Sequence, residues 1–444
     1  MKWSRHNLLF RSDKFGLMLY NSLTNRLMTF APDFEPELDK IREDPAGYDF
    51  SGCFGVFTGM MANRVLVDEQ AEQDILNAMK MRKLASRFDA SEMALTLMVT
   101  EDCNFGCPYC YEKNKRRVDM SPETCDRLVE FVRGAAPRKL FVNWFGGEPL
   151  MRFDTMLALN ERFLSLGMEY SSFIVTNGWL LNEEVTARLA ELSVTGIQVT
   201  IEGPAEIHDQ KRFHLEQGGS HDVIRDNLDR LMLQEKWPGK LFIHYNVDEA
   251  NADVLAQTHD HWTERYKGSN VGFGVSFVDR NERGSRDMGC SFDKEQEIAF
   301  YLEHYKRHGG KGLRYFPRHH QVGCCATKLL GFVVGAEGQM YKCWDDVGKK
   351  EMEVGSLYKD PREWDQPLMA RYMVGVEPFD DPACRQCFYL PVCEECPNIW
   401  YRRKYLGQKI KTCANYKHHL PEYLEIHHEL QGNRPPGAGE PEKP

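Results

Sequence analysis

The pattern of apolar positions from residue 92 to about 310 predicts short strands that alternate with amphipathic helices. Such alternation is typical of a parallel sheet or barrel. Ser121 followed by Pro122, and Asn182 followed by two glutamates, predict helix starts within this region. Six strand–helix units are two fewer than a closed eightfold barrel contains, so we predict an α/β fold built on a partial, TIM-like (β/α)6 barrel. The predicted strands cover residues 94–100, 139–145, 172–176, 196–202, 241–247 and 271–278.

The chain on either side of this region has a different pattern. Residues 1–88 predict a small separate module, in which two strands and two helices cover residues 15–20, 25–30, 35–42 and 68–83. After residue 310 cysteines, glycines and short runs dominate, which is typical of a domain built around metal sites. The predicted domains are therefore 1–88, 89–310 and 311–430, followed by a Pro- and Gly-rich disordered tail at 431–444.

Composition and charge exclude several classes of protein. With 42% hydrophobic and 27% charged residues among 444, the chain is an ordinary globular protein rather than a fibrous or disordered one. Its longest apolar stretch, from Leu329 to Ala336, is far shorter than the roughly 18 residues of a transmembrane helix. The N-terminal apolar run stops at Arg11, too early for a secretory signal, so we expect a cytoplasmic location. A formal charge of −10 with mixed signs makes nucleic acid an unexpected partner.

Fourteen cysteines in a chain without an export signal indicate metal or redox ligands rather than disulfides. Cys103, Cys107 and Cys110 follow directly after the first predicted barrel strand. Three thiolates this close together can converge on one metal centre. A closed iron–sulfur cube takes four thiolates, so three would leave one iron open. The alternative is a structural zinc knuckle that a distant ligand completes.

The spacing C-x3-C-x2-C, with Tyr109 before the last cysteine, resembles the signature of the radical S-adenosylmethionine (SAM) superfamily. The resemblance implies a [4Fe-4S] cluster on Cys103, Cys107 and Cys110, whose open iron chelates SAM. In that family an electron from the cluster cleaves SAM, and the resulting 5′-deoxyadenosyl radical abstracts a substrate hydrogen. A flavodoxin- or ferredoxin-type electron donor is implied as a partner. The cofactor carries the difficult chemistry, and the protein binds, orients and shields it.

Two further strand ends carry similar motifs. Gly146-Gly147-Glu148 follows the second strand, where glycines permit close backbone approach by a ligand, although a tight turn would need them equally. These residues resemble the family motif that holds the amino group of SAM. Thr176 and Asn177 end the third strand and resemble a family motif beside the ribose, while Asn-Gly is also a common turn pair. The resemblance therefore implies that all five residues bind the cofactor.

The fourth and fifth strands are less informative. Glu202 stands where related enzymes usually have an aspartate. The sequence therefore does not decide whether its carboxylate extends into the active site. His208 is expected to be a loop residue whose neighbours satisfy it, rather than a catalytic base. The fifth strand ends at Asn246 and Asp248, which is a weak similarity to the same family.

The cysteines of the last third resemble a SPASM domain, which binds auxiliary clusters. Two residues rather than the usual three separate Cys393 from Cys396, which departs from the pattern. By resemblance, an outer [4Fe-4S] cluster would be bound by Cys384, Cys387, Cys393 and Cys413. An inner cluster would be bound by Cys343, Cys396 and one or both of Cys324 and Cys325. If only one cysteine of the adjacent pair binds, the inner cluster keeps an open iron that a substrate thiolate can occupy. The alternative is that His319 serves as the fourth ligand of that cluster. Two zinc sites are the alternative.

Enzymes with this extension mostly modify peptides or proteins. The module at 1–88 resembles the winged-helix element that grips leader peptides by adding a strand to its sheet, and a pendant structural domain is the alternative. In related sulfatase-maturating enzymes an aspartate that serves as the base commonly follows the cysteine equivalent to Cys343. Trp344 stands there in this chain, and Asp345 is the candidate base.

We therefore expect an oxidoreductase that cross-links a ribosomally made precursor peptide carrying a leader. A thioether is the first expectation, and a C–C or C–O bond the next. Sulfatase maturation or another SPASM dehydrogenase reaction is the first alternative, and a non-catalytic iron–sulfur or zinc scaffold is the second. Three [4Fe-4S] clusters and SAM are the expected cofactors. The peptide, the residues joined, the electron donor and the oligomeric state stay open.

Overall fold

The computed structural model describes residues 1–110, 116–278, 292–319, 324–394, 396–410 and 413–432. Cys290 and the part of the predicted tail from residue 433 onward lie outside these ranges. The strands are β1 (Lys2–Trp3), β2 (Asn7–Ser12), β3 (Gly16–Asn21), β4 (Arg26–Phe30), β5 (Leu66–Val67), β6 (Glu92–Met98), β7 (Lys139–Phe145), β8 (Glu169–Thr176), β9 (Val194–Thr200), β10 (Phe213–His214), β11 (Gly218–Gly219), β12 (Lys240–Val247), β13 (Val271–Phe277), β14 (Gly331–Val334), β15 (Gln339–Tyr341) and β16 (Gly355–Ser356). The helices are α1 (Glu35–Glu43), α2 (Phe54–Ala62), α3 (Glu69–Arg87), α4 (Pro122–Ala135), α5 (Phe153–Ser165), α6 (Glu183–Ala187), α7 (Ala205–Lys211), α8 (His221–Asp229), α9 (Leu255–Arg265), α10 (Lys294–His308), α11 (Gln366–Met373), α12 (Pro382–Arg385), α13 (Pro397–Tyr405) and α14 (Leu420–Gly432).

The chain forms two compact units. The first contains Met1–Phe88 and the described residues of Arg314–Cys324 and Val374–Glu440, and the second contains the described residues of Asp89–Leu313 with Cys325–Met373. The segment predicted as a third domain, 311–430, is thus shared between the two units. Their boundary falls between the adjacent cysteines Cys324 and Cys325.

A largely parallel sheet forms the second unit. Its strand order is β13-β12-β9-β8-β7-β6-β14-β15-β16, and every pair from β13 to β14 is parallel. All six strands predicted from the apolar pattern are present, which confirms a mainly parallel α/β fold. The pattern did not predict β14, a four-residue strand that pairs with β6 from more than 200 residues further along the chain. Such a distant pairing leaves no local signal.

The two faces of this sheet differ in character. Tyr245 and Val247 of β12 pack with Leu255 of α9 in one apolar cluster. Because successive side chains of a strand point to opposite faces, His244 and Asn246 lie on the other face. Helices therefore cover one face, and polar residues occupy the other face near the carboxyl ends of the strands.

Two helices of this unit begin at the positions that their capping residues predict. The Ser121 hydroxyl accepts a hydrogen bond from the Thr124 N–H (3.1 Å) at the start of α4, where Pro122 is the first helical residue. The Asn182 side chain accepts one from the Val185 N–H (3.0 Å) at the start of α6. Both bonds satisfy N–H groups that the helix itself leaves unpaired.

The first unit contains a three-stranded antiparallel sheet in the order β2-β3-β4. Strands β3 and β4 and helices α1 and α3 occur where the pattern predicts them, while β2 was not predicted. Leu17 and Leu19 of β3 pack with Leu38 and Ile41 of α1 in a buried core. This module has the predicted hairpin and helices, and its winged-helix character stays a prediction.

Residues from both ends of the chain share the buried interior of the first unit. Arg87, at the end of α3, pairs with Glu377 at 2.6 Å, and both side chains are 1% exposed. At the far end, α14 runs to Gly432, so Gln431 and Gly432 are helical rather than part of the predicted tail. The prediction was wrong for these two residues because buried Leu420, Tyr423 and Leu424 anchor the helix. Within the described ranges, no helix combines the length and apolar character that a membrane crossing requires.

Candidate functional site

Cys103, Cys107 and Cys110 lie on one short loop after β6, at the carboxyl end of the parallel strands. Cys103 is buried, and its Sγ accepts a hydrogen bond from the Phe105 N–H (3.4 Å). Cys107 and Cys110 are partly buried, and the Cys107 carbonyl accepts from the Cys110 N–H (3.2 Å). The loop therefore presents three thiols at the strand ends, where parallel α/β folds bind their ligands.

The two glycines after β7 pack against this loop. Gly146 has φ +124°, and a Cβ there would lie 2.3 Å from the Thr100 carbonyl oxygen. A Cβ on Gly147 would lie 1.9 Å from the Asp102 carbonyl oxygen. The sequence predicts close backbone approach at these glycines, and the neighbour that approaches is the protein's own backbone leading to Cys103. Any side chain here would displace the cysteine loop.

Glu148 joins two of the predicted motifs. Its carboxylate is fully buried and accepts hydrogen bonds from the Thr176 hydroxyl (2.7 Å), the Asn177 N–H (2.7 Å) and the Leu150 N–H (3.1 Å). Burial raises the pKa of this carboxyl above its usual value, although the three donors act in the opposite direction. The ends of β7 and β8 are therefore fixed to each other through one carboxylate.

Asn177 also binds the cysteine loop. Its side-chain N–H donates to the Asn104 side-chain oxygen at 2.7 Å. Asn104 lies between Cys103 and Cys107, and nothing in the sequence pattern marked it as a functional residue. The cysteine loop is thus connected to the end of β8 as well as to the end of β7.

A buried network fixes the other end of the loop. The Tyr109 hydroxyl donates to Glu202 after β9 and accepts from Arg212 (2.8 Å). Burial raises the pKa of Tyr109 well above its usual value, Arg212 acts against that change, and Glu202 reinforces it. Burial alone would lower the pKa of Arg212, but Tyr109, Cys107 and Glu202 nearby raise it above its usual value. The guanidinium therefore stays charged beside the cysteine loop.

Glu202 is the centre of this network and is 0% exposed. Asn246 at the end of β12 donates to it (3.0 Å), and Lys211 pairs with it (2.9 Å) and with Asp248 (2.8 Å). Sequence reasoning flagged Asn246 and Asp248 weakly and missed Lys211 and Arg212. A Lys-Arg pair at a helix end is usually solvated, so only the fold shows that Lys211 is buried and Arg212 partly buried.

Both ring nitrogens of His208 form hydrogen bonds within the protein. Its Nδ1 accepts a hydrogen bond from the Glu202 N–H (3.2 Å), so Nε2 carries the hydrogen and donates to the Ser220 hydroxyl (3.1 Å). Burial, with Arg212 nearby, lowers its pKa well below the usual value, so the ring is neutral. The prediction that neighbours satisfy this histidine is confirmed, although it lies in α7 rather than in a loop.

Four cysteines of the first unit line a single cavity. Cys384, Cys387, Cys393 and Cys413 bound it together with apolar groups of Leu390 and Trp400 and the side chain of Lys417. Burial, with Asp381 and neighbouring thiols, raises the pKa of Cys384 to about 12. These are the four residues predicted for the outer cluster. Cys396 is exposed and does not line the cavity.

The remaining predicted residues are divided between the two units. Cys343 is buried after β15, and the Trp344 ring stacks on Phe145 at the end of β7, with centroids 6.1 Å apart. Asp345 follows Trp344 in the same short turn. Cys325 is partly buried and Cys324 is exposed. His319, in the first unit, forms a hydrogen bond with the Ser22 carbonyl (3.1 Å).

Comparison with known sequences agrees with the resemblance of the cysteine motif. The model of the family described as "Radical SAM superfamily" matches residues 97–245. A serine-type anaerobic sulfatase-maturating enzyme of Bacteroides thetaiotaomicron is 30% identical over 372 residues, which covers 73% of this chain and 88% of that protein. The radical SAM cyclopropyl synthase TigE of Paramaledivibacter caminithermalis is 25% identical over 242 residues, covering 50% of this chain and 49% of TigE. An uncharacterised protein of Methanocaldococcus jannaschii is 30% identical over 188 residues, covering 41% of this chain and 60% of that protein. The chain thus spans less than two thirds of the last two relatives.

Solved structures show the same fold. The structure of anSMEcpe with bound AdoMet and Kp18Cys peptide has a TM-score of 0.57 at 19% identity and covers 77% of this chain and 98% of that chain. Streptococcus suis SuiB bound to precursor peptide SuiA has a TM-score of 0.52 at 14% identity and covers 92% of this chain and 97% of that chain. At these identities the likeness shows a shared fold.

Proposed function

Because this chain belongs to the radical SAM superfamily, we propose that it is an oxidoreductase that uses SAM to oxidise and cross-link a ribosomally made peptide. One observation carries this proposal. Hydrogen bonds and backbone packing connect the Cys103–Cys110 loop to the ends of β7, β8 and β9, through Gly147, Asn177 and Glu202. A loop held at both ends gives a bound cofactor one fixed orientation, which radical chemistry requires.

The SAM site consists of the loop and the two strand ends beside it. Cys103, Cys107 and Cys110 would hold a [4Fe-4S] cluster with one open iron, which supplies the electron that cleaves SAM when both are bound. The SAM-binding residues would be Tyr109, Gly146, Gly147, Glu148, Thr176 and Asn177. The buried hydrogen bonds among Glu148, Thr176 and Asn177 support this assignment, because they fix the two strand ends in one arrangement.

Two auxiliary [4Fe-4S] clusters complete the proposed cofactor set. Cys384, Cys387, Cys393 and Cys413 would bind the outer one, since all four line one cavity. A tetrahedral zinc ion holds its four sulfurs about 3.8 Å apart, given Zn–S bonds of about 2.3 Å. In the described part of the chain, no three His, Cys, Asp or Glu side chains converge closely enough for one metal ion. The one cavity bounded by these four cysteines is the observation that supports assigning them to a single cube.

The proposed substrate is a precursor peptide with a leader segment. Anaerobic sulfatase-maturating enzymes and SuiB, which was solved with precursor peptide SuiA, are among the similar proteins. In the first unit, β2 and β4 are the outer strands of their sheet, and no other described strand pairs with their free edges. A leader peptide would add a strand at one of these edges.

A thioether is the proposed linkage, formed between a cysteine sulfur and another residue of the peptide. An inner cluster with one open iron would bind the donor cysteine as a thiolate. Asp345 is the proposed proton acceptor, and its place directly after Trp344, whose ring stacks on Phe145 at the end of β7, supports that role. A C–C or C–O bond is the next possibility for the linkage.

Sulfatase maturation is the second candidate function. The match to the Bacteroides thetaiotaomicron enzyme over 88% of its length favours it. Trp344 disfavours it, because an aspartate commonly occupies that position in the resembling enzymes. Formylglycine formed from a cysteine or serine is the product expected for this candidate.

One assay separates the candidates. The protein is reconstituted anaerobically with iron and sulfide, then given SAM, a reductant and synthetic peptides that contain cysteine or serine. We expect 5′-deoxyadenosine together with a peptide that has lost two hydrogen atoms and a thiol that no longer alkylates. An aldehyde that reacts with hydrazide reagents would instead identify formylglycine. The triple variant with Cys103, Cys107 and Cys110 changed to alanine should form no 5′-deoxyadenosine. If it does, the cofactor assignment fails.

A further inference from the structure

Lys342 is a buried cation directly before Cys343. Its side chain is 0% exposed, and its Nζ donates to the Lys328 carbonyl (2.6 Å) and the Gly331 carbonyl (2.7 Å). The Nζ also lies 4.4 Å from the centroid of the Phe332 ring. Burying an ammonium group is costly, and a lysine is retained at such a position only where its charge or its hydrogen bonds have a use.

The Lys328 carbonyl belongs to the turn between Cys325 and β14, and the Gly331 carbonyl belongs to the first residue of β14. The Cys325 carbonyl accepts from the Lys328 N–H (3.1 Å), and the Lys328 carbonyl accepts from the Gly331 N–H (3.2 Å). Gly331 is so close to Cys325 that a Cβ on it would lie 2.1 Å from the Cys325 carbonyl oxygen. This compact turn fixes Cys325 at the start of β14.

Strand pairing places Cys343 at the same end of the hairpin. Val333 and Val334 of β14 lie opposite Tyr341 and Met340 of β15. The same antiparallel register, continued for two residues, sets Gly331 opposite Cys343. Lys342 therefore connects the segment that carries Cys343 to the turn that carries Cys325.

We propose that Lys342 is a positioning residue that holds Cys325 beside Cys343 and places a positive charge next to the cluster that these two cysteines bind. The proposal rests on the inner auxiliary cluster of the proposed function. A thiolate-bound cube is an anion that becomes more negative on reduction, so a buried cation beside it favours the reduced form. Cys324 is exposed and lies outside this turn, which makes Cys325 the ligand of the adjacent pair.

The test measures iron content and reduction potential rather than turnover. Full-length variants are reconstituted in the background with Cys103, Cys107 and Cys110 changed to alanine, so that only auxiliary clusters contribute to the electron paramagnetic resonance signal. Lys342→Gln keeps a hydrogen-bond donor without the charge, so it should retain the iron and give one cluster a more negative midpoint potential. Lys342→Arg keeps the charge and should restore the wild-type potential. Lys349→Gln, which removes a partly exposed cation six residues beyond Cys343, is the matched control and should change neither quantity.

Variants of the two adjacent cysteines provide an independent test of the proposal. Cys325→Ala should lose the signal of one auxiliary cluster, whereas Cys324→Ala should keep both. Unchanged potentials in Lys342→Gln, or loss of the cluster in Cys324→Ala but not in Cys325→Ala, would overturn the proposal. A background variant that binds no iron would instead reject the auxiliary clusters of the proposed function, so the two failures are distinguishable.

Discussion

The Cα of Gly147 lies against the carbonyl group of Asp102, so closely that a methyl group at Gly147 would come within 1.9 Å of the carbonyl oxygen. The next residue, Glu148, donates its N–H to the same oxygen at 2.9 Å. The turn after β7 and the loop that leads to Cys103 are therefore packed backbone to backbone. The position of the cysteine loop depends on the absence of one side chain.

We expect Gly147→Ala to displace this loop and prevent the first cluster from assembling. A reconstituted variant should lack about four of about twelve irons, because one cube of three would be missing. Gly134→Ala is the matched control, since nothing lies within 4 Å of its Cβ in α4. That change should keep all the iron and stabilise the helix by up to about 1 kcal/mol. Full iron content in Gly147→Ala would show that the loop tolerates the methyl group.

Tyr109→Phe should impair SAM cleavage without removing iron. The phenol lies between Glu202 and Arg212, and its loss leaves two buried charged groups without a shared partner. A lost hydrogen bond to a buried charged group costs about 1–3 kcal/mol, which corresponds to a roughly 5- to 150-fold lower rate of 5′-deoxyadenosine formation. Tyr358→Phe removes a phenol that contacts the Thr124 hydroxyl (2.9 Å) and should leave the rate unchanged. Equal rates in the two variants would contradict a role for Tyr109 at the cofactor.

Cys413→Ala should remove the outer auxiliary cluster. The thiol lines the cavity with Cys384, Cys387 and Cys393, and because Cys413 is exposed, its removal leaves that corner of the cube open to solvent, so we expect the cube to be lost on gel filtration. Iron should fall from about twelve to about eight per chain. Cys53→Ala changes a cysteine outside the cavity and should keep the full complement. Loss of zinc rather than iron from Cys413→Ala would identify the site as a zinc site.

His208 should make the protein less stable as the pH falls. Burial lowers its pKa well below 6.5, so below that pH the unfolded chain binds a proton there that the folded chain does not. Stability contributed by the neutral ring is therefore present above pH 6.5 and is lost as the pH falls toward the folded pKa. His208→Gln should flatten this dependence by up to about 1.4 kcal/mol per pH unit, measured by urea unfolding between pH 7.5 and 5.5. His418→Gln, which changes an exposed histidine, should keep the wild-type dependence of stability on pH. If His208→Gln also has the wild-type slope, the His208 ring is protonated in the folded protein.

The amino-acid sequence determined the mainly parallel α/β architecture that begins at residue 92 and the position of the cysteine loop. Apolar runs such as 139–145 are recognisable without tertiary information, because a strand covered by helices needs a continuous apolar segment. Helix starts at Ser121 and Asn182 are equally local, since a capping side chain reaches only two or three residues along the chain. The spacing of Cys103, Cys107 and Cys110 is also a local signal, because one loop carries all three thiols.

Tertiary structure alone decided which residues support that loop and how the last third of the chain is divided. Lys211 is buried and Arg212 partly buried only because β9, β12 and the cysteine loop enclose them, whereas the sequence around them is that of a solvated helix end. Strand β14 lies beside β6 because of a pairing between distant segments, and that pairing sets Cys325 and Lys342 in the second unit. These features depend on contacts between residues far apart along the chain, and local periodicity contains no information about such contacts.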